Sequence, residues 1–406
     1  MSTPPPPAIP PRFAAALSTD PSSTRAEERV VAGIADGLRG VRPDLVTVFV
    51  SHHHGGAIEG LGPRLAHRTG ARVLIGCTGE SIIGAGREVE QEPALALWAA
   101  HLPGTEVRAV HVTAEHGPDD RAVFSDLPDI RDRQRASLLL LADPFSFPMD
   151  EYLQRLNATF PGVTAVGGMA SGGMGPGQNL LFDGEQLFGE GALAVVLEGG
   201  IEVRSVVSQG CRPIGRPWVI TACNGHLLHK LGGKRALDVL METVQALEGQ
   251  DRELFQRAPF VGIAIDPSKS LFERGDFLVR GIVGLQPEER AVAIADLPRR
   301  GATLQFLVRD ADSAGEDLSD LMRTRGGGAL TMPEDPSSAG ALLFSCNGRG
   351  SRMFDVADHD VSRVRAGLAA EVPVAGFFAM GEIGPVGGRN FLHGFTASVA
   401  VFRRRP

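Results

Sequence analysis

One arrangement recurs along this chain and narrows its fold more than any other feature: an apolar strand, a helix, a second strand carrying glycine, and a glycine-rich loop. Residues 45–50 form a β-rich apolar run. Ile58, Leu61 and Leu65 then share a helix face, residues 73–77 make a second strand, and Gly84-Ala85-Gly86 follows. The order returns with a strand at 138–141, a helix face of Met149, Tyr152, Leu153 and Leu156, a strand at 164–168, and glycines from 172 to 177. It returns again with 341–344, then Val361, Val364 and Leu368, then 374–378 and the glycines of 381–388. The first strand and the glycine of the second lie 31, 29 and 34 residues apart (Leu45 to Gly76, Leu138 to Gly167, Leu342 to Gly376), as duplication predicts.

Two apolar runs close each of the first two units, 94–101 with 107–112 and 192–197 with 201–207, and are expected to pair as hairpins; residues 396–402 close the third. Residues 260–309, preceded by a helix carrying Leu237, Leu240, Met241, Val244 and Leu247, read as a degenerate fourth copy. Four units make two halves, 21–210 and 211–406, joined at residues 212–217, whose prolines and glycine break regular structure. The expected fold is α/β: two related halves with mixed β-sheets covered by helices, built from repeated strand-helix-strand-hairpin units. The glycine loops are expected to converge on a cleft where the halves meet.

Composition narrows the function. The longest apolar runs are far below the ~20 residues a membrane-spanning helix needs. Net charge is −8, and only three of the 40 basic residues are lysines, which reads as composition bias and not as a basic patch for nucleic acid. The four cysteines, Cys77, Cys211, Cys223 and Cys346, are widely spaced, so neither a disulfide scaffold nor a zinc ribbon is expected. Residues 1–20, proline-rich and without an apolar segment, are expected to be a disordered tail, and the protein cytoplasmic. The glycine loops precede hairpin strands and do not open a helix, so they are not dinucleotide motifs, and no Gly-x-x-x-x-Gly-Lys-Ser/Thr occurs. His52-His53-His54 ends a strand, but adjacent side chains diverge, so a polar loop is expected and no metal site. Arg403-Arg404-Arg405 reads as a solvated tail.

The most specific segment runs Gly381-Glu382-Ile383-Gly384-Pro385-Val386-Gly387-Gly388-Arg389-Asn390-Phe391-Leu392-His393-Gly394-Phe395-Thr396, and it resembles the C-terminal signature of FIST proteins (F-box and intracellular signal transduction). Gly76-Cys77-Thr78-Gly79-Glu80-Ser81-Ile82-Ile83-Gly84-Ala85-Gly86 resembles the N-terminal signature, and Ala222-Cys223-Asn224-Gly225 and Ser345-Cys346-Asn347-Gly348 also fit. The resemblance covers about residues 45–400 and implies a FIST N-terminal domain over 21–210 and a FIST C-terminal domain over 211–406. It further implies a sensory protein that binds a small ligand, with an amino acid as the candidate, and reports to a separate signalling partner. No cofactor, metal or catalytic residue is expected.

The candidate ligand-binding residues are Cys77, Glu80, Asn347, Arg349, Glu382, Arg389, Asn390 and His393. Arg389 can fork a carboxylate, Asn390 can donate and accept, and a carboxylate at Glu382 or Glu80 can receive an ammonium group. Glu80 and Glu382 are expected at comparable points of two copies, facing one cleft. Two alternatives remain open. One is a cysteine-dependent hydrolase or transferase using Cys346 or Cys77, with His393 as a base for Cys346. The other is an interaction scaffold whose glycines serve packing alone.

Overall fold

A computed structural model describes residues 10–117, 121–266, 269, 272, 275–327, 335–368 and 371–405. Compactness groups them into two bodies: one of residues up to 207 with 318–392 and 396 onward, the other of 208–317 with 393–395.

The first body holds three strand–helix–strand modules. The chain enters through β1 (Arg12–Ser18) and α1 (Ser23–Gly37). Module one is β2 (Leu45–Ser51), α2 (Leu61–Thr69) and β3 (Val73–Gly79), followed by the short strands β4 (Ile82–Gly84) and β5 (Arg87–Val89), then β6 (Leu95–His101) and β7 (Thr105–Val112). A two-stranded ribbon, β8 (Ala114–His116) and β9 (Ala122–Phe124), precedes module two. That module is β10 (Ala136–Ala142), α3 (Met149–Thr159), β11 (Thr164–Met169), β12 (Leu181–Asp183), β13 (Leu187–Phe188), β14 (Ala192–Gly199) and β15 (Ile201–Ser208).

The second body carries β16 (Cys211–Asn224), β17 (Leu227–Leu231), β18 (Lys234–Arg235), α4 (Ala236–Ala246), α5 (Gly249–Arg257), β19 (Phe260–Ala264), β20 (Phe277–Gln286), β21 (Ala291–Ile294) and β22 (Thr303–Arg309). The next helix, α6, spans Ala311–Leu321. Module three is β23 (Ala339–Cys346), α7 (His359–Leu368), β24 (Val374–Ala379), β25 (Glu382–Val386), β26 (Arg389–His393) and β27 (Ala397–Arg404).

The three modules exchange strands in a cycle. The sheets run β1-β6-β2-β3-β12-β13, β7-β14-β10-β11-β25-β26 and β15-β27-β23-β24-β4-β5. Each is mixed, with one parallel pair at its centre: β2 with β3, β10 with β11, and β23 with β24. Every module gives its short hairpin to another module's sheet, and the registers repeat: Gly76 faces Phe182, Gly167 faces Ile383, and Gly376 faces Ile83. A two-residue link can return as a hairpin only through positive φ. Glu80-Ser81 and Met380-Gly381 supply none, so β4 and β25 run on to a neighbouring sheet. True two-residue turns follow instead at Ala85-Gly86 (φ 48° and 79°) and Gly387-Gly388 (58° and 77°).

The closing hairpins expected from sequence are split. β6 is already flanked by β1 and β2, so β7 joins β14; β14 is flanked by β10 and β7, so β15 joins β27. β1 takes the edge place that a preceding module fills in the other two sheets. The tail expected over residues 1–20 is therefore corrected from residue 12 onward. Phe13 packs its ring 5.4 Å from Trp98, and burying it outweighs the entropy of ordering the strand; residues 1–9 lie outside the described chain. Arg403-Arg404-Arg405 is likewise no solvated tail: β27 runs through Arg404, and Arg403 forks Glu202 at 2.8 and 2.9 Å.

The inner faces of all three sheets share one core. It holds Phe49 stacked on Phe377 at 5.1 Å and Trp98 against Phe402 at 4.8 Å, with Leu139 and Val195 from module two. α1 and α2, α3, and α7 each cover the outer face of one sheet. The glycine of each second strand is there for close approach: a Cβ at Gly167 or Gly376 would overlap the carbonyl oxygen of Leu140 or Leu343 on the paired strand.

The second body differs from the fourth copy expected over 260–309. Its seven-stranded sheet, β16-β22-β19-β20-β21-β17-β18, pairs antiparallel throughout. α4 and α5 cover it through Val239, Leu240 and Phe255, which pack with Val261 and Phe306. The strand-rich pattern was readable, but β19 and β22 are themselves neighbours, so no helix crosses between parallel strands.

Candidate functional site

In α/β proteins the carboxyl ends of parallel strands are where loops and binding groups gather. Here the ends of β3, β11 and β24 meet. The N–H of Ser171 donates to the Thr78 carbonyl at 3.2 Å, and that of Met380 to the Met169 carbonyl at 3.1 Å. At the third place a side chain intervenes: the Glu80 N–H donates to Ser171 Oγ at 2.8 Å, and that hydroxyl donates to the Phe378 carbonyl. Glu80, Ser171 and Met380 each lie four residues beyond the register glycine of their module, so this junction is a ring with one equivalent residue from each copy.

The loop after β23 lies over this ring. Its anchor is Arg349, fully buried, whose Nε and Nη2 fork Asp360 at 2.6 and 2.8 Å. Ser345 Oγ also donates to Asp360 Oδ2 at 2.7 Å, and His359 Nδ1 lies 2.8 Å from Oδ1. The His359 ring stacks on Phe354 at 3.3 Å, and the guanidinium of Arg349 lies 5.2 Å from the centre of that phenyl. Burial disfavours both charges, but the mutual Arg349–Asp360 attraction exceeds it: the carboxyl is held well below the usual carboxylate range and the guanidinium above its ordinary value. Among the described residues, Arg349 Nη1 and Asn347 Oδ1 are buried without a hydrogen-bond partner.

Above this anchor sits an accessible ion pair. Arg352 Nη2 pairs with Glu80 Oε1, and Nη1 donates to the Asn347 carbonyl at 2.8 Å. Both side chains reach solvent, 53% and 33% exposed, so the pair is open to exchange. The hydrogen bond to Glu80 raises the Arg352 pKa. His52 Nε2 donates to the Ser171 carbonyl at this rim, at 3.1 Å. On the far side Ser351 binds Glu90 through N–H and Oγ at 2.9 and 2.6 Å.

The FIST N domain model matches residues 44–234 and the FIST C domain model matches 236–385. The chain belongs to the FIST family. An uncharacterized protein of Mycobacterium tuberculosis strain H37Rv, Rv0628c, is 39% identical over 392 residues, 96% of this chain and 99% of the relative. Another, Mb0898c of Mycobacterium bovis, is 38% identical over 393 residues, 96% and 98% of the two chains. FIST domains are associated with signal transduction and small-ligand sensing. No helix among the described residues is long and apolar enough to cross a membrane.

Of the residues singled out in this FIST chain, the structure gathers Glu80, Asn347 and Arg349, and Glu382 lies close enough to Arg349 to raise its pKa. Glu80 and Glu382 are not comparable points. Glu382 faces Gly168 in the sheet, the place held by Ile82 and Leu181 in the other copies, and its Oε2 accepts from Thr396 N–H and Oγ1 at 3.0 and 2.7 Å. Asn390 sits at the opposite end of β11. Its amide binds Val163 and Ala165, six residues before Ser171 and so about 20 Å along the strand. Arg389 is exposed on β26, 5.7 Å from the Phe391 ring. A single cleft for Glu80, Arg389 and Asn390 is therefore corrected: the glycine loop is a two-residue turn at the outer edge of a sheet. His393 is buried and belongs to the second body.

Cys77 is fully buried in the shared core, where desolvation pushes its thiol pKa up, the setting of an inert cysteine. The three histidines take three directions: His52 toward Ser171, His53 toward Ser51 at 3.3 Å, and His54 toward Ser23 at 2.9 Å. Sequence reasoning missed Arg352 and Ser171, while His52 is the single histidine of the triplet that reaches this rim. The repeat spacing held the signal for Ser171, which stands four residues after Gly167 as Glu80 does after Gly76.

Proposed function

We propose that this protein is a small-ligand sensor whose ligand is an amino acid, held at the carboxyl ends of β3, β11 and β24, and that a separate signalling partner reads the bound state. The observation that carries this is the solvent-reaching Glu80–Arg352 pair above two buried unpartnered groups, Arg349 Nη1 and Asn347 Oδ1. A zwitterion brings the same two charges. Its carboxylate takes the fork of Arg352 and its ammonium takes Glu80, so the protein's pair is exchanged and no buried charge is left alone. Because the site joins strands of three modules, occupancy favours the closed ring over any opened form, which is the differential a sensor needs. Cys77, Cys211, Cys223 and Cys346 form no disulfide, which fits a reducing, cytoplasmic location.

A thermal-shift screen of the twenty amino acids tests this. The reading expects at least one to raise the melting temperature, and expects Arg352→Gln and Glu80→Gln to abolish that rise with the unliganded fold intact. A rise that both variants retain would remove the site. Rapid labelling of Cys346 by iodoacetamide near neutral pH, together with loss of labelling on ligand addition, would favour the cysteine-dependent reading instead.

A further inference from the structure

The turn after β23, residues 346–349, is closed by the Arg349 N–H on the Cys346 carbonyl at 2.8 Å. It carries two buried atoms without a hydrogen-bond partner among the described residues, Asn347 Oδ1 and Arg349 Nη1. One is an acceptor and the other a donor, and each destabilises the fold while it stays buried and unpaired. The turn at the same place in module two is satisfied from within. There Asp143 stands three residues beyond the strand partner of Gly167, as Cys346 does beyond that of Gly376. Its carboxylate accepts from the Phe145 N–H, Ser146 Oγ and Asn179 Nδ2 at 3.2, 2.7 and 3.2 Å. Module three offers its donor and acceptor to something else.

The charges around the turn narrow what can fill it. Arg349 already holds the Asp360 carboxylate through Nε and Nη2, with His359 on the same carboxylate, and Glu382 lies within electrostatic reach of the guanidinium. Two carboxylates therefore surround this one buried cation, and a third anion would be repelled by both. The Cys346 thiol is within electrostatic reach of both Arg349 and Arg352, so it marks the way from the buried turn to the solvent-reaching Glu80–Arg352 pair, beside which Glu90 also stands. Resting on the reading that this pair holds the α-groups of an amino acid, we infer that the ligand's side chain ends in a primary carboxamide, as in glutamine or asparagine. Its C=O accepts from Arg349 Nη1 and its NH2 donates to Asn347 Oδ1. A carboxylate side chain would suit Arg349 but bring the third anion and turn only acceptors toward Asn347 Oδ1. An ammonium side chain has no acceptor for Arg349, and an apolar one leaves both atoms unpaired.

The test is calorimetric titration of the full chain with glutamine, asparagine, glutamate, aspartate, histidine and methionine. One of the two amides is expected to bind, and its own acid and methionine are expected to bind about ten- to a hundredfold more weakly, as loss of a charge-assisted hydrogen bond predicts. Asn347→Leu keeps the size of the side chain and removes the acceptor. It is expected to weaken the amide about tenfold while the unliganded melting temperature is retained. The wild-type ligand series needs no variant, so it decides the matter even where Asn347→Leu fails to fold. Tighter binding of the acid, histidine or methionine than of either amide overturns the inference, and so does full amide affinity in a folded Asn347→Leu. Binding of some other amino acid that Arg352→Gln and Glu80→Gln abolish, with neither amide bound, overturns it while the sensor reading stands. No binding by any of the twenty amino acids overturns both.

Discussion

Replacing Glu88 with glutamine should remove a pH-dependent strain from the seam between modules one and three. Glu88 sits on β5, 9% exposed, and its Oε1 accepts the Val361 N–H at 2.8 Å in the first turn of α7. Its own N–H donates to Asp358 Oδ1 at 2.6 Å. Burial, and then the neighbouring Asp360 carboxylate, push its pKa from 4.5 to about 8. A raised carboxyl pKa means that the folded chain holds a proton the unfolded chain has lost. This stability is fully present below pH 4.5 and disappears as pH rises through about 8. At about 1.4 kcal/mol per pH unit, wild type should lose about 3 kcal/mol between pH 5.5 and 8 from this group. Asp360, whose pKa is lowered, stays ionised throughout and adds no slope. The neutral Glu88→Gln amide keeps the acceptor for Val361 and does not titrate. Guanidinium unfolding of both proteins from pH 5 to 9 reads the difference: near zero at acid pH, and several kcal/mol in favour of glutamine above pH 8. Parallel pH profiles, or a glutamine variant that loses stability relative to wild type as pH rises, would refute the reasoning.

Gly376→Ala should destabilise the first body by about 3 kcal/mol or more, because the new methyl meets the Leu343 carbonyl inside a fixed parallel pair; thermal melts would show it. Arg349→Met should lose about 3–5 kcal/mol by stranding Asp360, while the double change Arg349→Met with Asp360→Leu should recover most of it in the same assay. Phe13→Ala should lose about 3–5 kcal/mol and loosen β1, seen as faster amide exchange at Leu17, since the ring packs on Trp98 in the shared core.

The modules themselves were legible. Each parallel pair reads as a continuous apolar run because both faces are covered, and the spacing to Gly76, Gly167 and Gly376 marks one structural place. What local pattern could not show is which strand completes which sheet. β4 and β25 look like the second halves of hairpins with β3 and β24, and only the lack of positive φ at Glu80-Ser81 and Met380-Gly381 sends them elsewhere. That exchange decides the site. It places Glu382 at the register position that Ile82 holds in another sheet, moves Asn390 to the amino end of β11, and brings Glu80 beneath the loop that holds Asn347 and Arg352. The β1 strand escaped notice because prolines dominate the residues just before it, while Phe13 to Leu17 carry an unremarkable alanine-rich stretch.

The account rests most on the exchange of the Glu80–Arg352 pair for a zwitterion. Calorimetric titration with the amino acid that gives the largest thermal shift, set against its α-keto acid and its amine, tests this directly. Both charges are predicted to be needed: the amino acid binds, the two analogues bind at least tenfold more weakly, and Arg352→Gln and Glu80→Gln each weaken the amino acid by a similar factor. Equal binding by all three compounds, or full affinity in both variants, would contradict it.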